Sequence, residues 1–307
     1  MLRFLGVRIP QMAVAFLLAT FVVFGLAYAA PGDRVSAAPE TVGLSETDAA
    51  AMRTELGLDR PFWEQYVDFL RGLRTFDLGT STAGAPVTSL VGAALPATAA
   101  LATAALAVSI LVGLTMGVVA GLTDARRVTV PVFIVSAFLV ALPSFALAIT
   151  VRDTAIGAGW QFGSAGRDIA IGGLILPALA TGLASAGYLA RVSRAEVTGA
   201  RRAEHVRMAR ARGQTGAGLA CRHILRNAVP PVNAFAATEF AGLLGGTVII
   251  ERIFNVPGIG TLLYDSVQRG DVPVTVAIIM CFIAFHMVVT LLLDVAHAAL
   301  DPRLRNG

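Results

Sequence analysis

ATAALATAALAVSILVGLTMGVVAG, residues 97–121, carries no charged side chain and is long enough to cross the hydrocarbon core of a bilayer as a single helix. Hydrocarbon offers an open backbone no hydrogen-bond partner, so such a stretch must be helical where it meets lipid. Five more stretches pass the same test of about 20 mostly apolar residues: 10–30, 128–151, 169–190, 229–250 and 272–299. The fold expected is therefore all-α, a polytopic membrane protein with six transmembrane helices. Composition agrees, because 14% of the 307 residues are charged against about 25% in a soluble domain, and the mean hydropathy is +0.72.

The N-terminus imitates a cleavable signal peptide, with Arg3 and Arg8, an apolar run from Met12 and the small-residue string Ala27-Tyr28-Ala29. The run is long enough to span, and five later stretches repeat the pattern, so it is read as the first span. All 24 basic residues are arginine, read first as genome composition and second as a preference for multidentate contacts. Cys221 and Cys281 fall in an expected loop and an expected span; their spacing fits neither a disulfide nor a metal site, and both are read as packing residues.

Six spans place Arg3 and Arg8, Arg126 and Arg127, the nine arginines of 191–226, and Arg303 and Arg305 on one side of the membrane. Basic residues near span ends mark the cytoplasmic side, so both termini are expected there. On the other side, 31–96 carries five arginines against nine acids and 251–271 two against three. The expected organisation is an N-terminal transmembrane helix (1–30), an extracytoplasmic segment (31–96) and a core of five spans (97–307) with a cytoplasmic loop at 191–228. Within the outer segment, Ser45, Asp48 and Gly57 bracket a capped helix. A second helix follows Pro61, with Phe62, Tyr66, Phe69, Leu70 and Leu73 in an apolar stripe. These helices are expected either to lie as a cap on the outer membrane surface or to receive a substrate-delivery protein.

The loop holds nine arginines and two glutamates. Residues 203–212 form a helix-competent stretch without Pro or Gly, ended by Gly213 at a helix C-cap position. On that helix Val206, Ala209 and Gly213 share a narrow small-residue face, flanked by Arg210, with Arg207 and Glu204 further round. Membrane-surface electrostatics and a topology signal both account for the charge. Only a partner-docking helix also accounts for the small face and the terminating glycine, because small side chains permit close backbone approach.

Glu204-His205-Val206-Arg207-Met208-Ala209-Arg210-Ala211-Arg212-Gly213, followed by Arg222-His223-Ile224-Leu225-Arg226-Asn227-Ala228 and Pro231, resembles the cytoplasmic signature of ABC importer permeases of the dipeptide/oligopeptide/nickel family. The likeness extends in order along the chain through Pro31-Gly32-Asp33, Leu56-Gly57-Leu58-Asp59-Arg60-Pro61, Asp77-Leu78-Gly79-Thr80-Ser81, Leu142-Pro143-Ser144-Phe145, Leu189-Ala190-Arg191, Leu243-Leu244-Gly245-Gly246, 251–260 and Asp301-Pro302-Arg303. The resemblance implies a type I ABC importer permease fold. It also implies that the helix in 204–213 is the coupling helix, seated in a cleft of an ATPase subunit, with Glu204, His205, Val206, Arg207, Ala209, Arg210, Ala211 and Gly213 as its residues. The general signature begins Glu-Ala-Ala where this chain has Arg207-Met208-Ala209, a departure that touches the detailed contacts.

The resemblance implies partners as well: a second, paralogous permease subunit forming a heterodimer, two ABC ATPase subunits or one fused ATPase, and an extracytoplasmic solute-binding protein. ATP and Mg would be bound by the ATPases. This chain is expected to hold no cofactor and to bind no nucleic acid, and it has no Walker-type loop and no lysine. The function implied is inward movement of dipeptides or oligopeptides by alternating access in the bacterial inner membrane, with nickel or another small solute as the alternative cargo. An intramembrane hydrolase would need a catalytic constellation that the spans lack. A proton-coupled secondary transporter would need an intramembrane carboxylate, and Glu239 is one.

Glu239 lies near the middle of the fifth stretch, where an ionisable group costs roughly 2.5–3.5 kcal/mol on insertion scales and marks an interior cavity or a pathway. The resemblance implies an amide there, so the carboxylate is a departure: it is either a hydrogen-bonded structural Glu or a pathway residue that meets a cationic part of the cargo. Leu243-Leu244-Gly245-Gly246 is expected to give tight helix packing. Residues 251–260 read as a turn-forming outer loop, either a plain connection or, by the resemblance, an element beside the cargo entrance that offers Glu251, Phe254, Pro257 and Gly258. His286, Asp294 and His297 do not converge, and no metal site is expected.

Overall fold

The computed structural model describes residues 2–29, 60–75, 77–159 and 171–300, and among them every regular element is a helix, apart from one bridge between Thr80 and Pro86. In chain order these are α1 (Leu2–Ala29), α2 (Phe62–Arg74), α3 (Val87–Gly121), α4 (Arg126–Ala141), α5 (Ser144–Gly157), α6 (Ile171–Arg202), α7 (Glu204–Ala211), α8 (Gly216–Gly246), α9 (Val248–Phe254), α10 (Ile259–Gln268) and α11 (Val272–Leu300). Helices α3 and α8 each contain one widened π turn, Ile110–Leu114 and Ala220–Leu225. Among the described residues, four helical stretches are long and apolar enough to cross a membrane: Arg8–Tyr28, Val87–Gly121, Gly173–Arg202 and Val272–Leu292. Counting the bent pairs α4/α5 and α8/α9 as one span each makes six.

Three boundaries differ from the sequence reading. The third span is broken: α4 and α5 meet at 94°, because Pro143 denies an N–H to the Leu139 carbonyl and drives Leu142 into extended backbone (φ −79, ψ 123). The second span starts ten residues earlier than expected, at Val87, with Pro96 inside the helix. The expected loop 191–228 is mostly helix, since α6 runs on through Arg202 and α8 begins at Gly216.

The chain separates into two compact units, Met1–Ala97 with Pro257–Gly307, and Thr98–Val256. This division differs from the expected core of 97–307, since α11 clusters with the N-terminal residues.

In the first unit α2 packs against α1. Thr20 Oγ1 and Tyr66 Oη lie 2.8 Å apart and both reach the Leu17 carbonyl, while Phe21, Phe24, Phe62, Trp63 and Tyr66 pack ring against ring. Thr20 sits near the middle of the apolar stretch Arg8–Tyr28, so α2 lies beside the first span rather than over its end. The aromatic stripe legible in the sequence finds its partner there. The capped helix expected at 45–57 lies outside the described residues. Asp271 caps α11 through the Val274 N–H (3.4 Å) and accepts from Ser81 Oγ (2.5 Å) and the Thr82 N–H (3.3 Å), anchoring the turn after Asp77.

In the second unit α6 is the hub, packed against α3, α4, α5 and α8. Close approach to α3 depends on Gly113, Gly117 and Gly121, one turn apart. A Cβ at these positions would lie 2.6 Å from the Ala186 carbonyl oxygen, 2.5 Å from Ser193 Cβ and 2.7 Å from Val197 Cβ, respectively. Lipid supplies no hydrophobic drive between spans, so such backbone-to-backbone packing is what holds them together. At Gly245 and Gly246, the glycines expected to do this, a Cβ would meet nothing within 4 Å; Leu243 and Leu244 are the buried members of that motif, against Ala102 and Ala105.

Candidate functional site

Between α6 and α8 the chain makes a tight helical hairpin around α7. Ala203, in extended backbone (ψ 152), breaks the run of α6, and Glu204 then supplies an acid to the first turn of α7. At the other end the Gln214 N–H bonds the Ala209 carbonyl (3.1 Å) and the Gly213 N–H bonds that of Arg210 (2.9 Å), with Gly213 at φ +83. That is a Schellman stop, and it requires the left-handed backbone that glycine adopts without strain.

The small face of α7 turns inward, which corrects the reading that Val206 and Ala209 meet a partner. Val206 (0% exposed) and Ala209 (5%) pack against Val197, Leu219, Ile224 and Ala228 of the same chain. An eight-residue helix is marginal alone, and burying the Val206 side chain supplies roughly 1.5–3 kcal/mol towards holding it. Glu204, His205, Arg207, Met208, Arg210, Ala211 and Gly213 are exposed instead, Met208 at 59%.

Two polar clamps brace the hairpin. His205 Nε2 lies 2.9 Å from Asn227 Nδ2 and 3.2 Å from the His223 carbonyl, which also accepts from Asn227 (2.8 Å). Arg201 ion-pairs with Asp124 in the turn after α3 and donates to the Leu122 carbonyl (3.4 Å). The Arg201 hydrogen bond, with the charges of Arg201 and Arg202, holds the Asp124 carboxyl below the usual carboxylate range. Asn227 stands in the signature stretch quoted above without a role of its own, and Asp124 carried no signal in the sequence. Cys221, read as a packing residue, is exposed.

Glu239, on α8, is half-buried and accepts a hydrogen bond from Ser185 Oγ of α6 at 2.7 Å. It borders an open cavity of about 580 Å³ lined by the α4/α5 break, from Leu139 to Ser144, by Thr181, Ser185 and Tyr188 of α6, and by Gly242 and Gly246 of α8. Nothing in the sequence pointed to Ser185, which lies 54 residues before its partner along the chain and meets it only where α6 crosses α8.

The expected outer loop is instead mostly helical. Glu251 and Phe254 lie in α9, and both are buried, Glu251 completely. Thr98 Oγ1 (2.8 Å) and Thr247 Oγ1 (3.0 Å) both donate to Glu251 Oε1. A buried carboxylate needs such donors, and that need turns this Glu inward, away from a docking role. Asn255 ends α9 in the left-handed region (φ 54), which asparagine tolerates. Pro257 is exposed, whereas Gly258 is buried and caps α10. His286 is exposed, the side chains of Asp294 and His297 lie outside the described residues, and no group of three or more His, Cys, Asp or Glu stands together among the described residues.

Packed apolar spans, a short helix mounted between two of them and a half-buried carboxylate on α8 describe a multi-pass membrane protein. The comparisons with known proteins agree. The family model for "Binding-protein-dependent transport system inner membrane component" matches residues 113–306, and that for the N-terminal part of such membrane components matches 1–102. The chain belongs to this family, the permease subunits of ABC importers. It is 32% identical to the glutathione transport system permease protein GsiC of Pectobacterium atrosepticum, over 99% of both chains. It is 36% identical to a putative peptide transport system permease protein of Brucella abortus, over 97% of both. Among solved structures, an amino acid ABC transporter described with histidines covers 68% of this chain and 92% of its own at a TM-score of 0.56 and 16% identity, a likeness of fold. The protein is thus a multi-pass inner-membrane component that works with other ABC subunits.

Proposed function

We propose that this chain is the permease subunit of an ATP-driven peptide importer, passing cargo from an external binding protein to the cytoplasm by alternating access. The observation that carries the reading is α7: a short helix held by its own apolar face against the rest of the hairpin, with Arg207, Met208 and Ala211 left outward on a rigid mount. A coupling helix must transmit force, so it must be fixed to its own spans as firmly as it fits its partner. The burial of Val206 and Ala209 supports the first requirement, and the exposed arginines with Met208 offer the second a mix of directional and apolar contact. The names of the relatives support peptides as cargo.

In this reading the subunit pairs with a second permease and two ATPase subunits that hold ATP and Mg, performs no chemistry itself, and has both termini and α7 in the cytoplasm. Proteoliposomes holding the assembled importer are expected to take up peptide only with binding protein and ATP. Uptake driven by a proton gradient without the ATPases would overturn the proposal in favour of a secondary transporter.

A further inference from the structure

The cavity beside Glu239 has a chemistry more specific than a neutral conduit. One carboxylate oxygen is engaged by Ser185, and the lining adds Tyr188 and Thr181, whose hydroxyl donates to the Pro177 carbonyl and so offers the cavity only acceptor lone pairs, with Gly242 and Gly246 leaving room because no side chain stands there. At the α4/α5 break, Pro143 leaves the Leu139 carbonyl without its helical N–H, and Leu139 is among the residues that line the cavity. Among the residues lining the cavity none is cationic. Acceptors and one acid, unopposed by any base, favour a positively charged guest that donates several hydrogen bonds. A volume of about 580 Å³ falls in the range of small-molecule sites, about 300–1,000 Å³.

We infer that Glu239, with Ser185 orienting it, forms a transit site for the protonated amino group of the cargo, giving the permease a selectivity of its own for peptides with a free amine. The inference rests on the importer reading for the identity of the cargo, but the site itself is a property of the α4–α6–α8 packing. Ser185 is a positioning residue: its hydroxyl fixes Oε1 of Glu239, which leaves Oε2 as the oxygen assigned to the guest.

The test measures binding, independent of transport. The importer complex in nanodiscs, without its binding protein, is titrated with trialanine and with N-acetyl-trialanine, read by saturation-transfer NMR. Wild type is expected to bind trialanine at least tenfold more tightly than the acetylated peptide, in line with a charge-assisted hydrogen bond. Glu239→Gln keeps the shape and a partner for Ser185, and should abolish that difference while leaving the weak binding of the acetylated peptide unchanged. Ser185→Ala should shrink the difference two- to threefold. Equal binding of both peptides by wild type, or a Glu239→Gln complex that keeps the preference or loses both peptides alike, would overturn the inference. Failure of ATP-driven uptake in the separate proteoliposome assay would instead count against the importer reading.

Discussion

Gly117 gives the most direct test of how the second unit is held together. Replacing it with alanine ought to stabilise an isolated helix by about 0.8–1.0 kcal/mol. In this structure the new Cβ would lie 2.5 Å from Ser193 Cβ, 2.6 Å from the Ala190 carbonyl oxygen and 3.0 Å from the Arg194 nitrogen, where carbon atoms settle at roughly 3.5–4.0 Å. None of the three neighbours is a rotatable chain end, so relief requires α3 and α6 to part by about 1 Å along the contact. Overpacking of this kind costs about 1–3 kcal/mol, a shift of roughly 5- to 150-fold in the folded ratio, and the sign is opposite to the helix propensity. Gly199, on the facing helix α6, has nothing within 4 Å of its Cβ position and serves as the control. Titration of the purified protein with SDS in mixed micelles, followed by tryptophan fluorescence, should show Gly117→Ala less stable than wild type and Gly199→Ala equal or more stable. A Gly117→Ala protein as stable as wild type, or losses of equal size at both positions, would refute the close-packing argument.

Further outcomes follow from the hairpin and the buried polar groups. Val206→Glu should destabilise the protein and lower its yield, because it drives a charge into the Val197–Ile224 cluster; Met208→Glu should leave folding intact but uncouple ATP hydrolysis from uptake, measured as ATP consumed per peptide imported. Gly213→Val forces a β-branched residue to φ +83 and should cost about 1–2 kcal/mol, read as faster proteolytic nicking at the end of α7. Thr98→Val removes one donor from a fully buried carboxylate and should lower stability by about 1–3 kcal/mol, with Thr98→Ser restoring most of it in the same titration. The Asp124 carboxyl is held below its unfolded value, so its contribution is complete above the ordinary carboxylate range and disappears as pH falls through the lowered value. Acid should therefore loosen the turn after α3, seen by hydrogen exchange at 122–125, and Asp124→Asn should remove that pH dependence.

Much of this protein could be read from the chain without coordinates. Runs such as 97–121 are decided by the bilayer itself, which leaves no alternative to a helix and sets its length. Gly213 announced the stop of α7 because only glycine takes that backbone conformation cheaply, and the stripe from Phe62 to Leu73 announced α2. Tertiary structure decided direction. The spacing of Val206 and Ala209 fixes them to one face, yet whether that face meets the chain or a partner depends on Val197 and Ile224, brought there by the hairpin. Local sequence likewise could not say that Glu251 turns inward, since its donors Thr98 and Thr247 include one on α3, 153 residues away along the chain. Pro143 was visible in the sequence as a helix breaker, but the cavity that its 94° break opens beside Glu239 exists only because α4, α6 and α8 pack together. Periodicity and special backbone conformations are local and leave their mark on neighbouring residues; the facing of a side chain is set by whichever distant element arrives to cover it.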